Sequence, residues 1–291
     1  MAKEKVDQTA LGVAVIRMLE ASYPKEQRLF EDKVSQYLLP GTYRTFTKLL
    51  SARWLRQALI RRRDKQFPGV LGLIPVRTRY LDDRVKDALD RGIRQIVILG
   101  AGMDSRPYRI AGIAGAQVFE VDRKVVQQFK IARVKNWQGS QPLHVNFVEV
   151  DFTTQTLEAT LGTSGLNLEE PTLVLWEGVT QYITEEAVRN TLAYLSTIEQ
   201  AEVIMSYVPA EYLNSSSPLP YLPKLLQGLK KAGLGWYFGL DPQQLPQFVG
   251  EYGYTVQEDV GHAEHQERYL RPIGRTMLVA PIERIVWLKR G

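Results

Sequence analysis

The 291-residue chain contains no cysteine and only three histidines. Without thiols there is no disulfide, no thiolate nucleophile and no zinc–thiolate cluster. The histidines form no HExxH-type pair, so a zinc hydrolase is disfavoured and no metal is expected. No apolar stretch approaches the ~20 residues needed to span a bilayer. The N-terminus, Met1-Ala-Lys-Glu-Lys-Val-Asp7, is charged and lacks the apolar segment of a signal peptide. The expectation is a cytoplasmic protein without membrane association.

Large charge of either sign is also lacking. The formal net charge is +5, with 44% hydrophobic and 24% charged residues, an ordinary globular composition. The basic excess is local. Residues 1–66 carry 14 basic and 7 acidic side chains, most densely basic from Lys48 to Lys65, and the remainder is slightly acidic. A nucleic-acid binder would carry a larger basic surface interleaved with aromatics. The run Arg61-Arg-Arg63 reads as a solvated helix end, or as an attractor for an acidic substrate or carrier protein.

Residues 8–66 read as helices punctuated at Pro24, Pro40-Gly41 and Pro68-Gly69. Leu11, Val15, Met18 and Leu19 recur at helical spacing, as do Phe46, Leu50, Trp54 and Ala58. A further helix is expected from Val76 to Asp90. Short apolar runs then follow: Ile96–Leu99, Val118–Val121, Val145–Val150, Leu173–Trp176 and Val203–Val208. Tyr254–Val260 and Arg275–Ala280 are the expected sixth and seventh strands. Helical stretches near 105–111, 123–136, 155–161 and 184–198 separate the first five, which implies a parallel sheet covered on both faces. The last two strands, joined without room for a helix, are expected to form an antiparallel edge hairpin. Proline-rich residues 209–247 read as a cap over the carboxyl edge of the sheet. The organisation expected is a helical extension over 1–84 and an α/β core over 85–291.

Ligands of open parallel sheets bind beyond the carboxyl ends of the strands. Gly100-Ala-Gly102 follows the first strand, and Asp122 ends the second 20 residues later, where a carboxylate suits ribose hydroxyls. Asp151, with Phe152, ends the third and suits an adenine; Glu177 ends the fourth, beside the expected reactive group. The dinucleotide fingerprint GxGxxG is broken, because Ser105 stands at the third glycine of Gly100-Ala-Gly-Met-Asp-Ser105. Asp104 moreover stands where a pyrophosphate needs a helix N-terminus. A cationic nucleoside without phosphates, S-adenosylmethionine, fits better than NAD. Simpler roles stay open: Arg79 paired with Asp82 or Asp83, Asp122 as a helix cap, Asp151 capping a turn, and Asp104-Ser-Arg106 organising the loop.

Several segments together resemble the leucine carboxyl methyltransferase-type family, including its bacterial O-methyltransferase branch. They are Phe30-Glu-Asp32, Arg77-Thr-Arg-Tyr-Leu-Asp-Asp83, Ile98-Leu-Gly-Ala-Gly-Met-Asp-Ser-Arg-Pro-Tyr108, Phe119-Glu-Val-Asp122, Val150-Asp-Phe152, Trp176-Glu-Gly-Val179 with Tyr182, and Arg268-Tyr269. The resemblance implies a class I Rossmann-like fold with S-adenosylmethionine as donor and S-adenosylhomocysteine as product. By it, Arg79 would hold the donor carboxylate and Gly100 would line the amino-acid end, with Gly102 of the same turn as a further cofactor-binding candidate. Asp122 would bind ribose, Asp151 and Phe152 adenine, and Glu177 the methionine amino group or nearby backbone. The family more often has Leu where Phe152 stands.

The expected reaction is O-methylation of a small-molecule carboxylate or hydroxyl, with secondary metabolism as its setting. A hydroxyl acceptor would need a base, and His262 and His265, following the sixth strand, are the candidates. Tyr182, Tyr207 and Tyr212 are candidates for the acceptor pocket, or core aromatics. His144 reads as structural. The competing readings are methylation of a protein C-terminus, a nicotinamide oxidoreductase on a similar sheet, and a module that binds without catalysing.

Overall fold

A strand buried on both faces needs apolar residues at every position, and the expected apolar runs form the centre of one seven-stranded sheet. The structure, a computed structural model, describes residues 8–50, 52–152, 154–213 and 217–291. The strands are β1 Gln95–Leu99, β2 Gln117–Asp122, β3 Val145–Glu149, β4 Thr172–Trp176, β5 Ala201–Tyr207, β6 Tyr254–Val260 and β7 Arg284–Arg290. Their order is β3-β2-β1-β4-β5-β7-β6; β7 runs antiparallel to both its neighbours, and the other pairings are parallel.

Alternation along each strand feeds two cores. Ile96 and Ile98 of β1 enter one hydrophobic cluster, and Val97 and Leu99 enter the other. The first cluster is covered by the long helix α5 (Val70–Asp90), which follows α1 (Gln8–Glu20), α2 (Ser35–Leu38), α3 (Gly41–Leu49) and α4 (Arg53–Gln66). Later helices are α6 (Arg106–Arg109), α7 (Lys124–Gln138), α8 (Leu157–Leu161), α9 (Glu185–Leu195), α10 (Leu222–Lys231), α11 (Leu245–Gly250) and α12 (His262–His265). A third cluster seats Leu11 and Val15 of α1, with Met18 and Leu19 beside them, against Leu38, Met103, Val126 and Val134.

Several expectations change. The chain between α3 and α4 breaks the proposed apolar stripe: Leu50 is buried, Trp54 is 70% exposed and Ala58 is exposed, while the Phe46 and Lys48 side chains lie outside the described residues. Helix α5 begins at Val70 rather than Val76, carries Pro75 inside it, and runs through position 84. The seventh strand is Arg284–Arg290, not Arg275–Ala280. Pro281 stops the earlier run, which straps the start of α5 instead, with Ala280 N–H donating to the Gly69 carbonyl at 3.0 Å. The β6–β7 connection also has room for helix: α12, a π-helical turn at Gln266–Leu270 and a short turn at Arg271–Ile273.

The cap residues 209–247 are pinned back to the sheet by a bridge between Pro209 and Leu240, and Leu240 N–H donates to the Val208 carbonyl at 3.0 Å. Leu222, the first residue of α10, is fully buried in the first cluster.

The strap fits because α5 has no side chain at Gly72, where a Cβ would be driven into the Leu278 carbonyl oxygen. Overpacking of this kind costs roughly 1–3 kcal/mol. Gly72→Ala is expected to lower the thermal midpoint by several degrees, about 2–4 °C per kcal/mol for a chain of this size; an unchanged melting curve would show that the strap is not seated there.

Candidate functional site

Strand order reverses between β1 and β4, so the crevice beyond their carboxyl ends is where a ligand is expected. The turn after β1 needs the left-handed backbone, with Gly100 at φ +65° and Gly102 at φ +46°. A Cβ on Gly100 would collide with Val179, in the loop after β4. Ala101 N–H donates to the Val121 carbonyl at 3.0 Å, stitching the turn to the end of β2.

Asp122 sits at that end. Its Oδ2 accepts the Gly102 N–H at 2.6 Å and its Oδ1 the Arg123 N–H at 2.7 Å. Burial pushes the Asp122 carboxyl up from its ordinary range, and the two N–H groups work against that shift. The Asp122 carbonyl accepts the Val150 N–H at 2.9 Å, which brings Asp151 and half-buried Phe152 alongside. The Asp151 backbone is organised as a turn: its N–H donates to Gln155 Oε1 at 3.0 Å, and its carbonyl accepts from Thr154 and Gln155. Ala10 of α1 lies over Gly102, so the N-terminal helix forms one wall.

Behind this turn lies a network of buried charges. Glu177, at the end of β4, accepts Arg77 Nε at 2.7 Å and Arg106 Nη1 at 2.8 Å. Arg77 also donates Nη1 to both Glu283 oxygens, at 2.8 and 2.7 Å. Arg106 reaches Asp82 at 2.9 Å and Asp104 at 2.6 Å, and its Nη2 is buried without a partner among the described residues. Arg109 holds Asp82 in a two-pronged contact at 2.6 and 2.7 Å. Asp32 accepts Ser105 Oγ at 2.7 Å and pairs with Arg17, which also donates to the Met103 carbonyl. Burial would raise the Glu177 carboxyl, but Arg106 and Arg77 outweigh it and hold the group ionised, below its usual range. Asp104 is held well below its usual range in the same way, chiefly by Arg106 against the cost of burial.

These partners reassign several residues. Arg79 does not face the crevice: its Nε bonds both Asp83 oxygens at 2.9 and 3.0 Å, and its Nη1 bonds the Leu29 carbonyl at 3.0 Å. The buried guanidinium at the end of β4 is Arg77. The helical period could have indicated this, because Leu73, Arg77, Tyr80 and Leu81 share the buried stripe and Arg79 lies about 200° from Arg77. Asp104 is neutralised by Arg106, so its charge no longer argues against a diphosphate; Ser105 at the third glycine position still does. Arg106 was legible as a possible organiser of the loop within Asp104-Ser-Arg106, whereas Glu283 carried no signal separable from ordinary surface charge.

Glu177 spends both oxygens on arginines, so it orders the site as much as it offers a free acceptor. His262 is exposed. His265 is 2% exposed, stacked on Tyr269 and edge-on to Tyr80, and burial together with Arg268 pushes its imidazole down to about 4. It is a core residue rather than a base. His144, as expected of a structural residue, contacts the Pro107 carbonyl at 2.9 Å. Tyr207 is fully buried with its hydroxyl donated to Asp259 at 2.9 Å, and Tyr212 is buried in the first cluster. Only Tyr182, half-buried just after the Gly178-Val179 turn, lies at the crevice, where Tyr237 N–H donates to the adjoining Gln181 carbonyl at 2.7 Å.

Removing one partner of a buried ion pair typically costs 3–5 kcal/mol, whereas an exposed i,i+4 pair contributes ~0.3–0.5 kcal/mol. Arg106→Met is therefore expected to lower the denaturant midpoint steeply, since it strands Asp82, Asp104 and Glu177. Arg79→Met should change it little. Equal effects would contradict the placement of the two arginines.

Comparison with known proteins bears on the family and the fold. The profile of the family described as leucine carboxyl methyltransferase matches residues 10–196. A Streptomyces coelicolor protein named "Putative S-adenosyl-L-methionine-dependent methyltransferase" is 34% identical over 187 residues, covering 64% of this chain and 62% of its own. A Parafrankia protein of the same description is 27% identical across 94% of this chain and 84% of its own. The chain spans less than two thirds of the length of the first of these relatives. Among solved structures, a DUF574 family protein from Streptomyces avermitilis superposes with a TM-score of 0.59 at 12% identity, covering 99% of this chain and 100% of its own. The fold is that of class I methyltransferases. With the profile covering well over half of its residues, the chain belongs to the leucine carboxyl methyltransferase family.

Proposed function

We propose that the protein is an S-adenosylmethionine-dependent O-methyltransferase that acts on a small-molecule oxygen, a carboxylate in preference to a hydroxyl, in secondary metabolism. The observation that carries the reading is the crevice itself: a glycine turn with no room for a Cβ, an aspartate gripping that turn, and a buried arginine–glutamate cluster behind it.

The residues present fit the donor. Asp122 retains lone pairs for ribose hydroxyls while it orients the Gly102 amide. Asp151 and Phe152 flank the same strand end, where an adenine would lie. Arg77 and the unpartnered Nη2 of Arg106 are cations suited to an amino-acid carboxylate, with Glu177 beside them for the ammonium. Bound there, S-adenosylmethionine supplies an electrophilic methyl carbon on a sulfonium.

What remains for the chain is alignment and exclusion of water, which can account for much of the rate of such a transfer. Ala10 over the glycine turn and the cap tied at Gln181 are placed for that exclusion. A carboxylate acceptor is already a nucleophile at neutral pH. His265 is withdrawn into the core with its basicity depressed, which leaves exposed His262 as the remaining histidine candidate; a carboxylate acceptor needs neither. The family's name points to the same chemistry; a protein C-terminus as acceptor is the second reading it supports. The exposed Arg61, Arg62 and Arg63, which form no ion pair with other described residues, are available to an acidic substrate or carrier protein.

Calorimetry tests the donor assignment. S-adenosylhomocysteine is expected to bind and NAD(H) not to bind. Asp122→Ala should weaken binding roughly 10–100-fold, the range for hydrogen bonds to a charged group, while the chain stays folded. Binding of NAD(H) in place of S-adenosylhomocysteine, or unchanged affinity in the variant, would refute it. Transfer of labelled methyl to carboxylates at a rate flat from pH 6 to 8 would separate carboxylate from hydroxyl acceptors.

A further inference from the structure

Away from the crevice, a cavity of about 630 Å³ lies between α5, β6 and the segment around Arg28. Four guanidiniums line it, those of Arg28, Arg79, Arg84 and Arg268, against two carboxylates, Asp83 and Glu258. Arg28 is paired with Glu31 at 3.0 Å, just outside the wall, so the positive charge left in excess is that of Arg84. The two carboxylates are engaged within the wall: Asp83 holds Arg79 at 2.9 Å, and Glu258 takes Arg268 Nη2 at 2.5 Å and the Tyr80 hydroxyl at 2.7 Å.

Arg84 is left over. It forms no hydrogen bond or ion pair with another described residue. Its guanidinium stacks instead, 4.8 Å from the Trp287 ring centroid and 5.6 Å from that of Tyr80. Stacking occupies the face of the guanidinium and leaves its in-plane N–H groups to an acceptor. Among the described residues, the Nε of Arg84 and the Nε of Arg28 are both buried without a partner, while the Nη groups of Arg28 bond Glu31 and the Ala21 and Tyr23 carbonyls. Buried donors of this kind are ordinarily satisfied, and two of them at one cavity of net positive charge call for an oxyanion.

We propose that this cavity is a second ligand site, specific for a dianionic phosphate group, with Arg84 as its anchor and Arg28 and Arg268 as flanking donors. Arginine suits a phosphate because its planar fork matches two oxygens at once. The site is separate from the donor crevice, since Arg79 on its wall and Arg77 in the crevice lie on opposite sides of α5.

The test is calorimetric titration of the full chain with inorganic phosphate at fixed ionic strength, with and without saturating S-adenosylhomocysteine. One saturable site is expected, retained in the presence of S-adenosylhomocysteine and weakened about tenfold or more in Arg84→Gln. Arg268→Gln, at a side chain 40% exposed, should also weaken it and keeps the test open if Arg84→Gln fails to fold. Glycerol phosphate as a second titrant identifies the source: tighter binding than inorganic phosphate assigns the site to an organic phosphomonoester, and equal binding to the free ion. No saturable binding, unchanged affinity in the folded variants, or displacement by S-adenosylhomocysteine would overturn the proposal.

Discussion

The buried charge network around Arg106 is the constraint on which the rest of the site depends. Arg17, Arg77, Arg106 and Arg109 face Asp32, Asp82, Asp104, Glu177 and Glu283, and all of these are nearly withdrawn from water. Taking such charges out of water is expensive, and only close, multiple pairing compensates for it. The pairing joins α1, the segment after it, α5, the turn after β1, the end of β4 and the start of β7. The glycine turn is thus held from behind, by side chains more than 70 residues apart in sequence, as in the Ser105–Asp32 bond. A ligand crevice built on that turn inherits its rigidity.

The same network explains which parts of the molecule could be read from sequence. Central strands were legible because burial on both faces forces continuous apolar runs, and their carboxyl ends followed directly. Gly100, Gly102, Asp122, Asp151 and Glu177 lie side by side because neighbouring parallel strands end together. Arg77 and Arg79 were harder to separate, because both belong to one recognisable segment and only the helical stripe tells which is inside. The last strand was misplaced because Arg275–Ala280 has a strand's composition, yet Pro281 and the bare surface of Gly72 turn it into a strap. Glu283 could not be foreseen, since its partner Arg77 lies 206 residues away.

The chemistry follows from what the site offers and from where its histidines went. His265 packs between two tyrosines and stays neutral near physiological pH. Tyr207 gives its hydroxyl to Asp259, which Arg284 also holds at 2.9 Å. His265 and Tyr207 are thereby built into the scaffold, while His262 stays exposed; the proposed carboxylate acceptor needs no base. The 209–247 segment is tied back through Leu240 to Val208 and through Tyr237 to Gln181.

The central claim is that the donor lies across the carboxyl ends of β1 to β4, with its amino-acid end at Arg77 and not at Arg79. A crystal structure with S-adenosylhomocysteine tests it most directly. The account predicts ribose density within hydrogen-bond reach of Asp122 and the carboxylate beside Arg77 and Arg106. Density for the carboxylate at Arg79, or a ligand bound away from the Gly100–Gly102 turn, would contradict it.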